Sequence, residues 1–457
     1  MPNAFHFGAK GDGLADDTAA LQHTLDAGGG VLTLAKGNFR ITKPITLDLT
    51  KHGYGAIRGA GGTTRILMEG AGPAFRVLGS HGGTATPRTV KPKVWEKERF
   101  PTVTGLEILG KHPEAVGVEL RKTMQMTVTQ MLIRNCKIGL HLVERNRNFV
   151  LSSSHIYDNS HYGVFFDRCN LHQTVIEGNH ISYNRRAGIK SLDGDVHNLH
   201  ITGNDIEYNN NPGKDKSPNG EPTGAEIWFE SPNGKISEVS IASNTLQATV
   251  QPGGANVRIW GNKDNTQGGR LIAISGNVIG SQTRALDIRS CTRVTVSGNT
   301  IYDSTDLSMY VTRCIGFAVN GNTFCWNHDD KQPPKDGVHF EDCEVGTFTA
   351  NSMHRSCSGN KKTGGAITLV RCKDVSVADC QIVNPLHRGI EIVDCERVRV
   401  ADNNVADNRD KTSMREAIRV RGKSPTVLVS GNIVTGGHKP LIDVAKEAGV
   451  AKDNLGS

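Results

Sequence analysis

One phrase returns along most of this chain. It reads "VIEGNHISYNRRAGIKS", then "HITGNDIEYNNN", "AISGNVIGSQTRALDIRS", "TVSGNTIYDSTDLSMYVTR", "AVNGNTFCWN" and "LVSGNIVTGG". Each copy is an apolar alternation, an Asn, one more apolar residue, a polar turn and a short strand such as "GIEI". The shared Asn falls at Asn179, Asn204, Asn244, Asn277, Asn299, Asn322, Asn351, Asn403, Asn432 and Asn454, with Cys380 and His155 each taking the slot once. Spacings run from 22 to 40 residues. Period-two strands and tight turns at a period in the twenties signal a solenoid of parallel strands. The expected fold is all-β: a right-handed parallel β-helix with a short N-terminal capping helix, forming one domain over 1–457.

Stacked coils lie about 4.8 Å apart, so equivalent side chains form ladders. An inward Asn at a turn can bond backbone groups of its own coil and the next. A second ladder is sulfur. Cys169, Cys291, Cys314, Cys343, Cys372 and Cys395 each follow the same short strand, which suits small buried hydrophobes and neither disulfides nor a tetrahedral metal set. Aromatic content is only 5% against 52 glycines, poor in the large side chains of a globular core and in keeping with many turns.

An open solenoid end needs a cap. "FGAKGDGLADDTAALQ", residues 7–22, fits that role, within a cap segment over 1–30. Asp16 or Asp17 can cap a helix running to Ala27, with Leu21 and Leu25 facing the core. A phosphate cradle is the other reading of this glycine-rich turn, but no strand precedes it.

The strand ending each coil presents two outward rows, because side chains alternate along a strand. Consecutive rungs of the first row are Lys190, Glu226, Arg258, Asp287, Tyr310 and His339. Beside them run Trp228, Trp260, Arg289 and Glu341. Two of the four Trp on an outward face suit a platform for sugar rings. Long segments over 207–224, 247–256, 327–337 and 356–365 precede this strand and would wall it, with the basic 80–99 loop as a further wall.

The opening stretch, with "GGGVLTLAKGNFRI" after it, resembles the N-terminal motif of the pectate-lyase-like superfamily, and the repeats resemble that superfamily's coils. The resemblance implies a carbohydrate-active β-helix. Polygalacturonases, lyases, epimerases and phage tailspikes resemble one another here. Of the polygalacturonase signatures only a paired Asp occurs.

Two chemistries fit the rows. Glu226 and Asp287, two rungs and about 9.6 Å apart, lie near the upper end of the roughly 6.5–9.5 Å of inverting glycosidases. β-Elimination from a uronate polymer needs a cation for the sugar carboxylate, for which Arg258 or Arg289 serve, and a base and an acid, for which Tyr310 and His339 serve. The expected catalytic residues are therefore Arg258, Asp287, Tyr310, His339 and Glu226. Substrate would be bound by Lys190, Trp228, Trp260, Arg289 and Glu341.

Elimination from an acidic polysaccharide leads. Hydrolysis, C5-epimerisation of a polyuronate and non-catalytic glycan binding by a tailspike-like solenoid are the alternatives. A plain ion-pair ladder on a solvated sheet would leave the same charges. No cofactor or metal is expected. Calcium, which lyases of the superfamily use, would fall to Asp167, Asp193 and Asp195, which nothing in the sequence draws into a cage. The net charge of +7 suits an acidic ligand, yet no Lys/Arg run marks a nucleic-acid arm and no apolar run approaches the roughly 20 residues of a membrane span. Homo-oligomers, trimers among them, occur in related proteins. A secreted or periplasmic place is expected although the chain opens without a signal peptide.

Overall fold

The computed structural model describes residues 2–84, 86–210, 224–264, 268–327 and 334–456. Most of two expected wall segments, 211–223 and 328–333, lies outside the described residues. The described residues form two compact units, one within 2–210 with 224–240 and the other within 241–456. Each is a stack of short strands in which every registered pairing runs parallel, the arrangement of a parallel β-helix. No helix among the described residues is long and apolar enough to cross a membrane.

In the second unit the strands that end the coils are Ala255–Trp260, Arg284–Arg289, Leu307–Thr312, Val338–Glu341, Ile367–Val370, Arg388–Val393, Glu416–Arg421 and Ile442–Val444. Their inward alternation stacks Ile288, Val311, Phe340, Leu369, Ile392 and Val420 in register, all buried. Each such side chain contributes about 1.5–3 kcal/mol by leaving water. An apolar residue at every second position thus drives both the coil and its stacking.

The corner after these strands explains the cysteine ladder. Ser290, Arg313, Asp342, Arg371 and Asp394 all adopt left-handed backbone, with φ from 51 to 54°. That conformation, uncommon outside Gly, reverses the chain within one residue. The next residue therefore points inward, and it is Cys291, Cys314, Cys343, Cys372 and Cys395. All ten cysteines are free. Sulfur-to-sulfur hydrogen bonding along the ladder, with burial, pushes the Cys343 and Cys372 thiols up to about 12.

The asparagine ladder forms as its chemistry requires. Asn299 Oδ1 accepts from Asn277 N at 3.0 Å and Nδ2 at 2.9 Å, and Asn322 and Asn351 repeat the pattern. Asn299 Nδ2 also donates to Ile274 O of the preceding coil and Ser297 O of its own. Cys380 holds its expected slot, its N–H donating to Asn403 Oδ1. His155 does not: Ser154 occupies that rung, donating to Asn179 Oδ1, and His155 is exposed one residue later. A hydroxyl in place of the amide, as Ser154 Oγ accepting from Met131 N shows, is what the pattern conceals.

At the N-terminus a helix over Thr18–Ala27 buries Leu21 and Leu25 completely. Asp17 holds the N-cap position without a side-chain cap bond, and Asp16, one residue earlier, accepts from Thr18 N. Asp17 turns back and accepts from Lys10 N and Gly11 N, so a protein carboxylate takes the amides of the glycine turn that a phosphate would need. The stretch is a cap.

Candidate active site

The second unit gathers the larger part of the expected site. Registered pairs place Arg258, Asp287, Tyr310 and His339 on successive rungs, and Trp260, Arg289, Thr312 and Glu341 beside them. Arg289 stands 4.5 Å over the Trp260 ring and 5.3 Å from that of Tyr310, and Arg284 stands 4.4 Å over Tyr310. The rings of Tyr310 and His339 stack at 5.6 Å. Trp260, Arg289, Tyr310 and His339 are half-buried, stacked on one another so that ring edges and polar ends face outward.

Glu341 lies between Tyr310 and His339. Its Oε2 accepts from the Tyr310 hydroxyl at 3.0 Å and lies 3.8 Å from His339 Nε2. Its Oε1 is held by Arg371, which also clamps Asp342. Partial burial works against the Glu341 carboxylate, yet the hydrogen bonds from Arg371 and Tyr310 hold its pKa below the usual value. Burial lowers His339, and Arg284 and Arg371 lower it further against the pull of Glu341. Burial raises Tyr310, reinforced by its bond to Glu341. Near neutral pH the imidazole is thus a free base and the phenol a proton donor.

Asp287 has a different position from the one its rung suggested. It is 1% exposed and accepts two bonds from Arg289, Nε at 2.7 Å and Nη2 at 2.9 Å. Arg258 Nε lies 3.6 Å and Arg284 Nη1 3.7 Å from its other side. Arg258 is itself 1% exposed, and burial brings its pKa down to about 10 despite Asp287. Neither group is open to a polymer. Asp287 orients Arg289, and Arg258 underlies the site.

Glu226 and Lys190, in the first unit, require correction. Lys190 pairs in register with Trp228 and Leu192 with Glu230, so Trp228 belongs to the first row and Glu226 lies two residues before it, level with Gly188. Glu226 is fully buried and turned inward. There it closes an unforeseen second ladder, in which Asn159 donates to Asn184 Oδ1, Asn184 to Asn209 Oδ1, and Asn209 N and Nδ2 to the Glu226 carboxylate. Burial raises Glu226 well above the ordinary carboxyl range, against the bonds from Asn209. Lys190, 3% exposed, is spent on Glu230 at 2.6 Å and on the Trp228 ring at 3.6 Å. Burial leaves neither facing substrate. Glu226→Ala should accordingly lower the melting temperature, with a loss of about 1–3 kcal/mol of stability, because it leaves the buried Asn209 N and Nδ2 donors without their acceptor. Turnover per folded molecule should not change.

The three carboxylates considered for calcium are engaged separately. Asp167 is bonded by Arg168 and His141, Asp193 by Asn233 N and Gly234 N, and Asp195 by His197. Among the described residues no group of three or more His, Cys, Asp and Glu side chains is placed to hold a metal ion.

Arg284, Arg371 and Lys335 were not foreseen. His339 lies on the wall of a cleft of about 450 Å³ lined also by Asp306, Lys335, Asn360, Thr363, Thr368 and Glu391. That volume falls in the range of small-molecule sites. The 356–365 segment contributes to its wall, as its length suggested. Lys335 is exposed there, with no carboxylate in salt-bridge reach among the described residues. Arg284 is paired with Asp306 at 2.9 Å, whose side chain is 46% exposed. Such a solvent-facing pair is worth roughly 0–1 kcal/mol and is readily exchanged for another carboxylate. Arg371 escaped notice because the left-handed corner redirects its side chain toward Glu341.

Compared by sequence with curated proteins, the chain has no significant match. In three dimensions it is similar to the ORF18 protein of Geobacillus virus E2, at 14% identity, 79% of this chain, 63% of that one and a TM-score of 0.46. Others are the mannuronan C-5 epimerase AlgE4 A-module of Azotobacter vinelandii, at 14% identity, 99% of both chains and 0.36, and the GH87 alpha-1,3-glucanase catalytic unit of Streptomyces thermodiastaticus, at 15%, 100% and 67%, and 0.38. The chain spans less than two thirds of the ORF18 protein and of bacteriophage CBA120 tailspike protein 3, 63% and 62%. These likenesses are of fold. The family model described as the right handed beta helix region matches residues 102–246 and 265–454, most of the sequence. The chain belongs to the right-handed β-helix family.

Proposed function

We propose that this protein is a carbohydrate-active enzyme that cleaves an acidic, uronate-containing polysaccharide by β-elimination. The observation that carries the reading is His339 on the cleft wall with Tyr310 stacked against it on the next rung and Glu341 between their polar ends.

His339 Nε2 removes the proton on the carbon next to the uronate carboxylate. The electron pair moves onto the carboxylate as an enolate, then forms the ring double bond as the glycosidic C–O bond breaks. Tyr310 gives its proton to the departing oxygen. Glu341, within 3.0 Å of the phenol and 3.8 Å of the imidazole, lies on the path that returns the proton from His339 to Tyr310. Lys335, or Arg284 released from Asp306, neutralises the uronate, and cations fixed beside a developing charge are worth most in such a site. Trp260 and Tyr310, their faces covered by neighbouring rungs, offer the exposed edges of their rings to the sugar chain.

Hydrolysis by the carboxylates first considered is disfavoured, since Asp287 is enclosed by three arginines and Glu226 is buried elsewhere. A panel of uronate polysaccharides, followed by ultraviolet absorbance of an unsaturated uronate together with new reducing ends, tests the reading. Absorbance and ends rising together are expected. New ends without absorbance would replace elimination with hydrolysis.

A further inference from the structure

The first unit carries a cleft of its own, about 980 Å³ in volume, that the proposed chemistry does not use. Its floor is one outward row, Val31, Ala56, Thr102, Thr127 and Val150, paired in register on successive strands. The alternate positions, Leu32, Ile57, Val103, Val128 and Leu151, are buried in the core.

One edge of this cleft is a corner. Phe100, Gln125 and Asn148 each lie two residues before the floor and adopt left-handed backbone, with φ of 56, 53 and 53°. Asn suits that conformation, whereas a bulky aromatic residue there is an outlier. Phe100 nevertheless takes the corner and stands 67% exposed in the cleft. Tyr54, 56% exposed, lines the same space, its hydroxyl donating to Glu96 O so that the ring is held in place. The fold gains little from either ring, and two exposed aromatic side chains in one cleft mark a binding surface.

The charge of the cleft has one sign. Arg58 and Arg99 line it, and no Asp, Glu or His does. Neither guanidinium has a carboxylate oxygen within 4.0 Å among the described residues. Glu98, the acid next to Arg99 in the chain, is buried and accepts from Ser80 N and Oγ. Arg99 instead lies 5.8 Å from the centre of the Tyr54 ring. Without a carboxylate or an imidazole the lining holds no general base, so this is a place to bind and not to react.

We propose that this cleft is a non-catalytic binding site for a segment of anionic polysaccharide, with Phe100 and Tyr54 against its sugar rings and Arg58 and Arg99 against its carboxylates. The amides of Gln125 and Asn148 and the hydroxyls of Thr102 and Thr127, one of each per rung about 4.8 Å apart, meet a polymer whose own hydroxyls repeat. The uronate class of the polymer rests on the function proposed above; the binding does not depend on elimination.

Electrophoresis of the full chain through gels containing polygalacturonate or alginate, beside gels containing neutral dextran, tests this. The unaltered chain and His339→Ala should both be retarded by the uronate polymers and not by dextran, and less so as sodium chloride rises. Phe100→Asn combined with Arg99→Ala should weaken that affinity about tenfold, as loss of an aromatic and an Arg anchor does. Asn is at home in a left-handed corner, so the melting temperature of this variant should hold. Equal retardation of the double variant and the unaltered chain, or retardation of neither, would overturn the site. If no uronate polymer is cleaved and the double variant still loses its retardation, elimination falls and this site stands.

Discussion

His339→Ala should abolish most turnover while leaving the fold intact. General acid–base groups contribute about 10²–10⁴-fold, and a loss in that range is expected in kcat with little change in melting temperature, since His339 is half-buried on an outer face. Tyr310→Phe should cost a similar factor, because it keeps the ring between Arg284, Arg289 and His339 and removes only the proton. Combining the two should cost little more than either alone, as for groups that act as a unit. The pH profile follows from the shifts. His339 works as the neutral base and its pKa is lowered, so activity should rise with pH through a midpoint below the ordinary 6.5. Tyr310 works protonated and its pKa is raised, so the alkaline limb should fall above 10. Initial rates from pH 4 to 11 check both limbs; an acid limb above 6.5 would remove His339 from the base role.

Asp287→Ala should be the most destabilising change at the site. It leaves Arg258, 1% exposed, buried beside Arg284 and Arg289 without its carboxylate. Breaking a buried ion pair from one side costs about 3–5 kcal/mol. The double variant Arg258→Met with Asp287→Leu should lose less than Asp287→Ala, since apolar side chains of similar volume replace a buried pair at little cost. Denaturant unfolding of the three chains gives the comparison. A loss below about 1 kcal/mol for Asp287→Ala would mean that the arginines are solvated and that Asp287 does not organise them.

Much of the fold is legible in the amino-acid pattern alone. The Asn slot and the inward alternation, as in Ile288, Val311 and Phe340, are repeated often enough that register is set by the pattern itself. Glu226 shows where alternation misleads. In "RAGIKS" and "GAEIWF" the Ala residues align, which puts Glu226 level with Gly188 and Trp228 level with Lys190. Elsewhere that slot holds small residues or Asn, as at Asn256, Ala285, Ser308 and Ala417, because it faces the crowded corner of the coil. A Glu there is the signal of an inward polar ladder, and the run of Asn159, Asn184 and Asn209 is its visible counterpart. Arg371 is hidden for another reason. Strand alternation stops at the left-handed corner, so a residue there turns toward a neighbouring rung that no period-two pattern assigns to it. Burial is the third quantity that alternation does not carry. It puts Lys190, Arg258 and Asp287 outward, whereas ion pairs and stacked rings cover all three.

The elimination chemistry stands most directly on where a uronate chain lies. A crystal structure of the His339→Ala chain with a uronate oligosaccharide measures it. The expected complex has a sugar carboxylate against Lys335 or Arg284, a ring against the exposed edge of Trp260 or Tyr310, and the glycosidic oxygen within hydrogen-bonding reach of the Tyr310 hydroxyl. An oligosaccharide bound away from the Tyr310–Glu341 pair and the cleft beside it would contradict this mechanism.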